Sequence, residues 1–150
     1  MLLLGHRTLL AIAAVVDVAV HSRRRPVAAK ALAARHDLPP RHLETLLQAL
    51  VHANILKGVR GPMGGYELAQ ERRRVSVADI VRAVGEDAVL PEATPGLVAG
   101  VIAPMAELAG RGFLAELGQI SVHDLCVKTG EQGIFGTADA DADADVDFHI

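Results

Sequence analysis

An apolar helical stripe running straight into a glycine-rich turn is the feature that most restricts the folds open to this chain. In PPRHLETLLQALVHAN, at about 100° per residue, Leu43, Leu46, Leu47, Leu50 and Val51 share one side. Arg41, Glu44, Thr45, Gln48 and His52 gather on the opposite side. Pro40 suits a first helical turn, where a missing N–H costs nothing. Asn54 stands where a left-handed C-terminal cap is wanted, with Ile55 as its apolar contact. The spacing therefore predicts a helix over about 40–53. Directly after it, ILKGV and YELA read as short strands joined by RGPMGG. A hairpin is expected over about 55–69, with Arg60 at its tip. Its turn would be formed by Gly61, Pro62, Gly64, Gly65 and Tyr66, and Gly64 and Gly65 are expected to take positive φ.

The flanking segments complete a pattern. A first helix is expected from His6 to Val20 and a second after Pro26, in the Ala-rich VAAKALAARHD. Ser76 and Asp79 form a capping-box signature for a fourth helix. The order helix, helix, helix, hairpin, helix is a winged helix-turn-helix. Beyond Gly85, Leu97, Val101, Met105 and Leu108 recur at helical spacing, extended by Phe113, Leu114 and Leu117. Gly100, Pro104, Gly110 and Gly112 predict a kinked or split helix there. Ser121 and Asp124 repeat the capping box and start a short last helix. The stripe needs a cover, and a twin helix from a second chain is expected to supply it. The fold class expected is mainly α with a small β-hairpin wing. Three parts are expected: a winged helix-turn-helix domain over 1–85, a linker, dimerisation helix and short terminal helix over 86–135, and a disordered acidic tail over 136–150.

Composition narrows the partners. Of 150 residues, 51% are hydrophobic but only 3% aromatic, so the core must be built from Leu, Val, Ala and Ile. The N-terminal apolar run, Thr8 to Val20, is too short to span a bilayer and contains Asp17; RRRP follows it rather than a cleavage site. A cytoplasmic protein without a membrane partner is expected. The net charge of −3 conceals a strong asymmetry. Residues 1–84 carry 13 Lys/Arg against 6 Asp/Glu, or +7, and residues 85–150 carry 2 against 12, or −10. A basic half suits nucleic acid, an acidic protein or an anionic lipid surface. The tail TADADADADVDFHI cannot bury enough surface to order itself, and it is a candidate regulatory arm competing for the basic face.

Catalytic and metal chemistry find little support. The glycine-rich loop lacks the Lys-Ser/Thr pair and the following helix of a phosphate cradle. The seven histidines are scattered without ligand spacing, and no nucleophile–base constellation is present. No metal site and no enzyme are expected. DNA reading accounts for more of the features together. A helix fits the major groove, where Arg41 could pair with guanine, Gln48 with adenine, and Glu44 could accept from cytosine, with Thr45 beside them. Arg60 is placed for a narrow minor groove. Arg7, Arg23, Arg24, Arg25, Lys30, Arg35 and Lys57 are candidate phosphate contacts.

The stretch LPPRHLETLLQALVHANILKGVRGPMGGYELA, followed by SVADIVRAV, resembles the Rrf-two family of bacterial winged-helix transcription regulators. The most specific element is R-G-P-x-G-G-Y after a helix carrying L-E-x-L-L, and the similarity covers about residues 6–126. The resemblance implies a homodimer with crossing C-terminal helices, presenting two recognition helices and two wings to a partly palindromic double-stranded operator. A repressor is the expected type. The resemblance also carries over a base-reading role to Glu44 and a minor-groove role to Arg60. Arg41 replaces the small polar residue usual at its position, and His6 and Arg7 are all that remains of the family's basic opening to the first helix. Members holding an iron–sulfur cluster use three cysteines between the fourth helix and the long helix. This chain has none there; its one cysteine, Cys126, lies later and is expected to be a small buried residue, with a redox thiol as the sharper alternative. No cluster is expected, and the effector is left open. Two other readings stay beside this one: a winged-helix module for protein–protein contact, and a small-molecule-responsive regulator with an inter-domain ligand site.

Overall fold

A computed structural model describes residues 3–85 and 89–136. The order of elements is α1 (His6–His21), α2 (Ala29–His36), α3 (Pro40–His52), β1 (Leu56–Val59), β2 (Gly65–Leu68), α4 (Val77–Val84), a π-helical segment (Val98–Ile102), α5 (Ala103–Leu117) and α6 (Val122–Glu131). A mainly helical body therefore carries one antiparallel hairpin, the architecture of a winged helix. The expected disorder of the acidic tail concerns residues beyond the described ones.

Helix α1 is the centre of the body. It packs against α2, α3, α4, α6 and β2. Its burial is wider than one face: every residue from Ala14 to Ala19 is buried, Asp17 included. Short Ala and Val side chains let neighbouring elements approach from several sides, which a simple amphipathic reading misses. Leu32 of α2, Leu43, Leu46, Leu47 and Leu50 of α3, and Ile80 and Val84 of α4 complete the same core. Burial of each such leucine stabilises the fold by about 1.5–3 kcal/mol.

Local chemistry sets the ends of α3. Pro40 opens it, and Asn54 closes it in the left-handed region at φ 59°. Asn54 N–H donates to the Val51 carbonyl and Ile55 N–H to the Leu50 carbonyl, both at 3.0 Å, with Ile55 buried behind them. This is a Schellman cap, as the Asn-Ile pair predicts. One residue departs from the expected apolar stripe. Val51 is 38% exposed, because it sits at the rim of the leucine face near the helix end.

In the hairpin, Leu56 pairs with Leu68, Lys57 with Glu67, Gly58 with Tyr66 and Val59 with Gly65. Positive φ falls at Gly61 and Gly65, at 115° and 158°, and not at Gly64. Gly64 is required for space instead: a Cβ there would collide with the Val59 carbonyl oxygen. A Cβ on Gly65 would collide with the Val27 carbonyl oxygen. Val27 is that close because it is paired with the hairpin. Its N–H donates to the Tyr66 carbonyl, and Tyr66 N–H returns the bond to Val27, each at 2.8 Å. Val27 thus stays outside helix α2, which begins at Ala29, and makes an isolated antiparallel bridge to the wing. Sequence pattern alone gave no sign of it, since the two residues are far apart in the chain.

Both capping boxes form. Ser76 Oγ accepts from Asp79 N–H while Ser76 N–H donates to Asp79, and Ser121 and Asp124 repeat the exchange. The hydrogen bonds from Ser121 hold the Asp124 carboxyl below the ordinary carboxylate range. The two caps also clasp each other: Val77 N–H donates to Ile120 and Val122 N–H to Val75, both at 2.8 Å. The clasp returns α6 to the body, where Val122 and Cys126 join the same core as α1 and α3.

Between these two helices, a break in hydrogen-bond spacing stands where a kink is expected. Ala103 N–H donates to Val98 five residues back, widening the turn just before Pro104, which has no N–H to give. Gly110 and Gly112, in contrast, lie inside an unbroken α5. The expected split does not occur there, since about 1 kcal/mol per glycine is small against a helix already propagating.

Candidate nucleic-acid interface

Anchoring α3 through four buried leucines leaves its other side outward. Arg41, Glu44, Thr45, Gln48 and His52 are all exposed on that side, together with His42. The Thr45 hydroxyl donates to the Arg41 carbonyl at 3.2 Å, which orients it along its own helix. Beside this face lies a cleft of about 470 Å³, bounded by His6, Arg7 and Leu10 of α1, the Asp37–Pro39 turn, and His42, Thr45 and Leu46 of α3. Arg7 and Thr45 thus line one cleft. His42 is a member of this surface that the helical wheel left unassigned, because its position lies between the two faces.

The wing carries Arg60 just outside β1, exposed, ahead of the Gly61 turn. Met63 stands beside it at the tip, 62% exposed. Lys57 is exposed as well, but its register partner is Glu67, so an opposite charge lies directly across the hairpin. Lys30 is exposed on α2, and Arg24 and Arg25 are exposed on the linker after α1, with Arg23 half-buried.

Arg35 is different and is withdrawn from the phosphate candidates. Its Nε–H donates to Asp17 Oδ2 at 2.8 Å and its Nη2 to Oδ1 at 2.7 Å, a fork–fork pair with a fully buried carboxylate. His36 Nε2 donates to Oδ2 at 2.8 Å and His21 Nδ1 to Oδ1 at 3.0 Å. Because a carboxylate only accepts, these contacts select the Nδ1–H form of His21 and the Nε2–H form of His36. Asp17, in sequence an interruption of an apolar run, is the latch that fixes α2 on α1. It thereby sets the platform from which α3 projects.

Cys126 is 3% exposed. Burial pushes its thiol above the ordinary cysteine range, opposed by the Arg72 charge, a hydrogen bond from Arg72, and the Arg23 charge. A protonated, enclosed thiol is a poor nucleophile. At neutral pH the native protein is expected to react with an aromatic disulfide reagent at least about 10-fold more slowly than the denatured chain. Prompt stoichiometric labelling of the native protein would overturn the inert assignment.

On the long helix, Leu97, Val101, Met105 and Leu108 are 59–66% exposed. Phe113 and Leu117 are half-buried, near the end of α5 that contacts α4. Among the described residues, no group of three His, Cys, Asp or Glu side chains is placed to hold a metal ion.

Comparison with known proteins agrees with this geometry. Residues 4–128 match the model of the Rrf2 family, described as an iron-dependent transcriptional regulator. The HTH-type transcriptional regulator IscR of Vibrio atlanticus is 37% identical over 76 residues, 51% of this chain and 44% of that protein. The same regulator of Vibrio cholerae is 36% identical over the same shares. The matched region thus spans less than half the length of these curated relatives. Among solved structures, T. potens IscR superposes with a TM-score of 0.70 at 29% identity, covering 87% of this chain and 90% of that one. CymR, the global cysteine regulator of B. subtilis, superposes with a TM-score of 0.62 at 21% identity, covering 84% and 97%, and speaks for the fold alone. With a winged helix in place and the family model matched along most of its length, this chain belongs to the Rrf2 family of transcription regulators, which are not enzymes.

Proposed function

We propose that this protein is a cytoplasmic, dimeric, sequence-specific DNA-binding regulator of the repressor type. The observation that carries the reading is the outward polar face of α3, held rigid by four buried leucines, beside a wing whose tip presents Arg60. The recognition helix enters the major groove, with Arg41, Glu44 and Gln48 at base edges. Arg60 enters the adjacent minor groove. Arg7, Lys30 and the Arg23–Arg25 linker are the phosphate contacts; Lys57, facing Glu67, contributes less.

The dimer is supported by α5. From Val98 to Leu117 the helix is long and apolar enough to cross a membrane. It also carries Glu107, Arg111 and Glu116, which favour a protein cover over lipid. Two such helices crossing would bury Leu97, Val101, Met105 and Leu108 and set two recognition helices on a partly palindromic site.

Against an iron–sulfur cluster stand the donors of this chain. A cluster needs several thiolates. The chain has one cysteine, Cys126, buried in α6 with the Arg72 side chain against it. The residues present do not fit the group, and the regulator is proposed to work without it, on a signal of another kind.

Duplex binding tests the reading. With operator fragments selected from genomic DNA, Arg60→Ala and Glu44→Ala are each expected to cost about 1–3 kcal/mol of affinity. Glu44→Ala is also expected to relax sequence preference, and Arg60→Ala to flatten the salt dependence by about one charge. Unchanged binding by both variants at physiological salt would sink the assignment and favour a protein-contact module.

A further inference from the structure

Two arginine triplets, Arg23–Arg25 and Arg72–Arg74, are distant in sequence but border the same helix. The guanidinium charges of Arg23 and Arg72 both act on the Cys126 thiol. The Arg72 carbonyl accepts from His123 N–H at 3.1 Å, fixing the second triplet at the start of α6. Arg24, Arg25, Arg73 and Arg74 are exposed. Arg73 contacts Glu71 at 3.4 Å with both side chains about half exposed, a weak pair in water. The described chain ends in the same neighbourhood. The Phe135 ring packs edge-on against His21, 4.7 Å between centroids, and His21 lies two residues before Arg23. After Gly136 the sequence places aspartates at 139, 141, 143, 145 and 147.

We propose that this arginine patch is the docking surface for the chain's own Ala-Asp segment, Asp139–Asp147, and that the docked segment masks Arg23–Arg25 from nucleic-acid phosphates. Reach permits it. Asp139 is three residues beyond Gly136 and Asp147 eleven, at most about 10 and 40 Å of chain. Charge favours it, because acidic alternation meets two arginine triplets that outnumber the carboxylates beside them, Glu71 before the second triplet and Asp124 in the first turn of α6. Alternation matters as well as sign. In an extended backbone every second side chain points the same way, so all five carboxylates can face the patch while Ala and Val face away. The carboxylates then repeat about every 6.7 Å. That is about half the axial charge density of one DNA strand, which carries a phosphate every 3.4 Å or so. The segment is thus an imperfect copy of a DNA backbone. It competes with duplex held by phosphate contacts alone and yields to an operator that adds base contacts. A short tether supplies it at an effective concentration near the millimolar range.

The masking consequence rests on the DNA reading proposed above; the contact itself does not, and two measurements separate them. The 150-residue chain is compared with a variant of the same length carrying Asp139→Asn, Asp141→Asn, Asp143→Asn, Asp145→Asn and Asp147→Asn. In the absence of DNA, backbone amide shifts of residues 23–25 and 72–74 are expected to differ between the two chains at low salt. They should merge at high salt, where the Debye length falls to about 3 Å. Coincident shifts at low salt would overturn the docking. With random-sequence duplex, the variant is expected to bind about 10-fold more tightly at about 50 mM salt. Its log-affinity against log-salt slope should be steeper by about 2–3, the regain of three phosphate contacts. Shifted amides with unchanged duplex affinity and slope would overturn the masking. If neither chain binds any duplex while the amides differ, the docking stands and the DNA reading fails.

Discussion

Asp17→Ala is expected to destabilise the protein by about 3 kcal/mol, at the lower end of the range for breaking a buried ion pair. The carboxylate is fully buried and accepts from Arg35, His36 and His21. Removing it leaves a guanidinium and two imidazoles converging on a void. The Arg35 side chain is 33% exposed, so water relieves part of the cost, which is why the lower end applies. For a chain of this size the change corresponds to a fall in melting temperature of about 6–12 °C. Removing both partners, as Asp17→Ala with Arg35→Leu, should cost less than the sum of the single losses, because no unpaired charge then remains. Denaturant unfolding of the four proteins gives the cycle. A loss below about 1 kcal/mol for Asp17→Ala would place the pair with ordinary surface salt bridges and end its role as a latch. The consequence for function follows from position. The latch joins α1 to α2, and α2 packs on α3, so loosening it frees the angle at which the outward face of α3 is presented.

The second large effect is expected on α5. Val101→Glu combined with Leu108→Glu should leave the monomer's stability nearly unchanged, because both residues are more than 60% exposed. The paired helices, in contrast, would have to bury four carboxylates, two from each chain. Sedimentation is therefore expected to show a dimer for the unaltered chain and a monomer for the variant. Affinity for a two-half-site operator should fall by about 10²–10⁴, the contribution of engaging the second half-site on one body. Binding to a single half-site should be little affected. A double variant that stays dimeric with full operator affinity would show that the exposed stripe serves another partner.

Much of the site was legible because the chemistry that builds it is local. The two faces of α3 follow from helical periodicity over 13 residues, and its cap from the adjacent pair Asn54–Ile55. The hairpin and both capping boxes likewise depend on residues a few positions apart. The resemblance of R-G-P-x-G-G-Y to a family motif pointed to the same fold. Where the local argument was incomplete, it failed in a specific way. Turn chemistry predicts a positive φ at Gly64, but the requirement there is steric clearance against Val59. Periodicity groups Val51 with the leucines, yet it does not record how far the opposing core extends along the helix.

What the sequence by itself determined is the set of elements and the chemical character of their faces: a polar face on α3, a wing with an arginine at its tip, and an apolar stripe beyond it. Tertiary structure alone decided how the remaining charges and strands are used. Arg35 is indistinguishable in sequence from a phosphate contact, and only the approach of α2 to α1 commits it to Asp17. Val27 reads as the start of a helix, and only the nearness of Tyr66 makes it a bridge to the hairpin. Helix α6 reads as part of the 86–135 segment, apart from the 1–85 domain, and only the clasp of Ser76 with Ser121 brings it into that domain's core. The physical reason is common to all three. Local structure is set by interactions a few residues along the chain, whereas the partner of a buried charge or an unpaired backbone edge is chosen by which distant segments packing brings within hydrogen-bond reach.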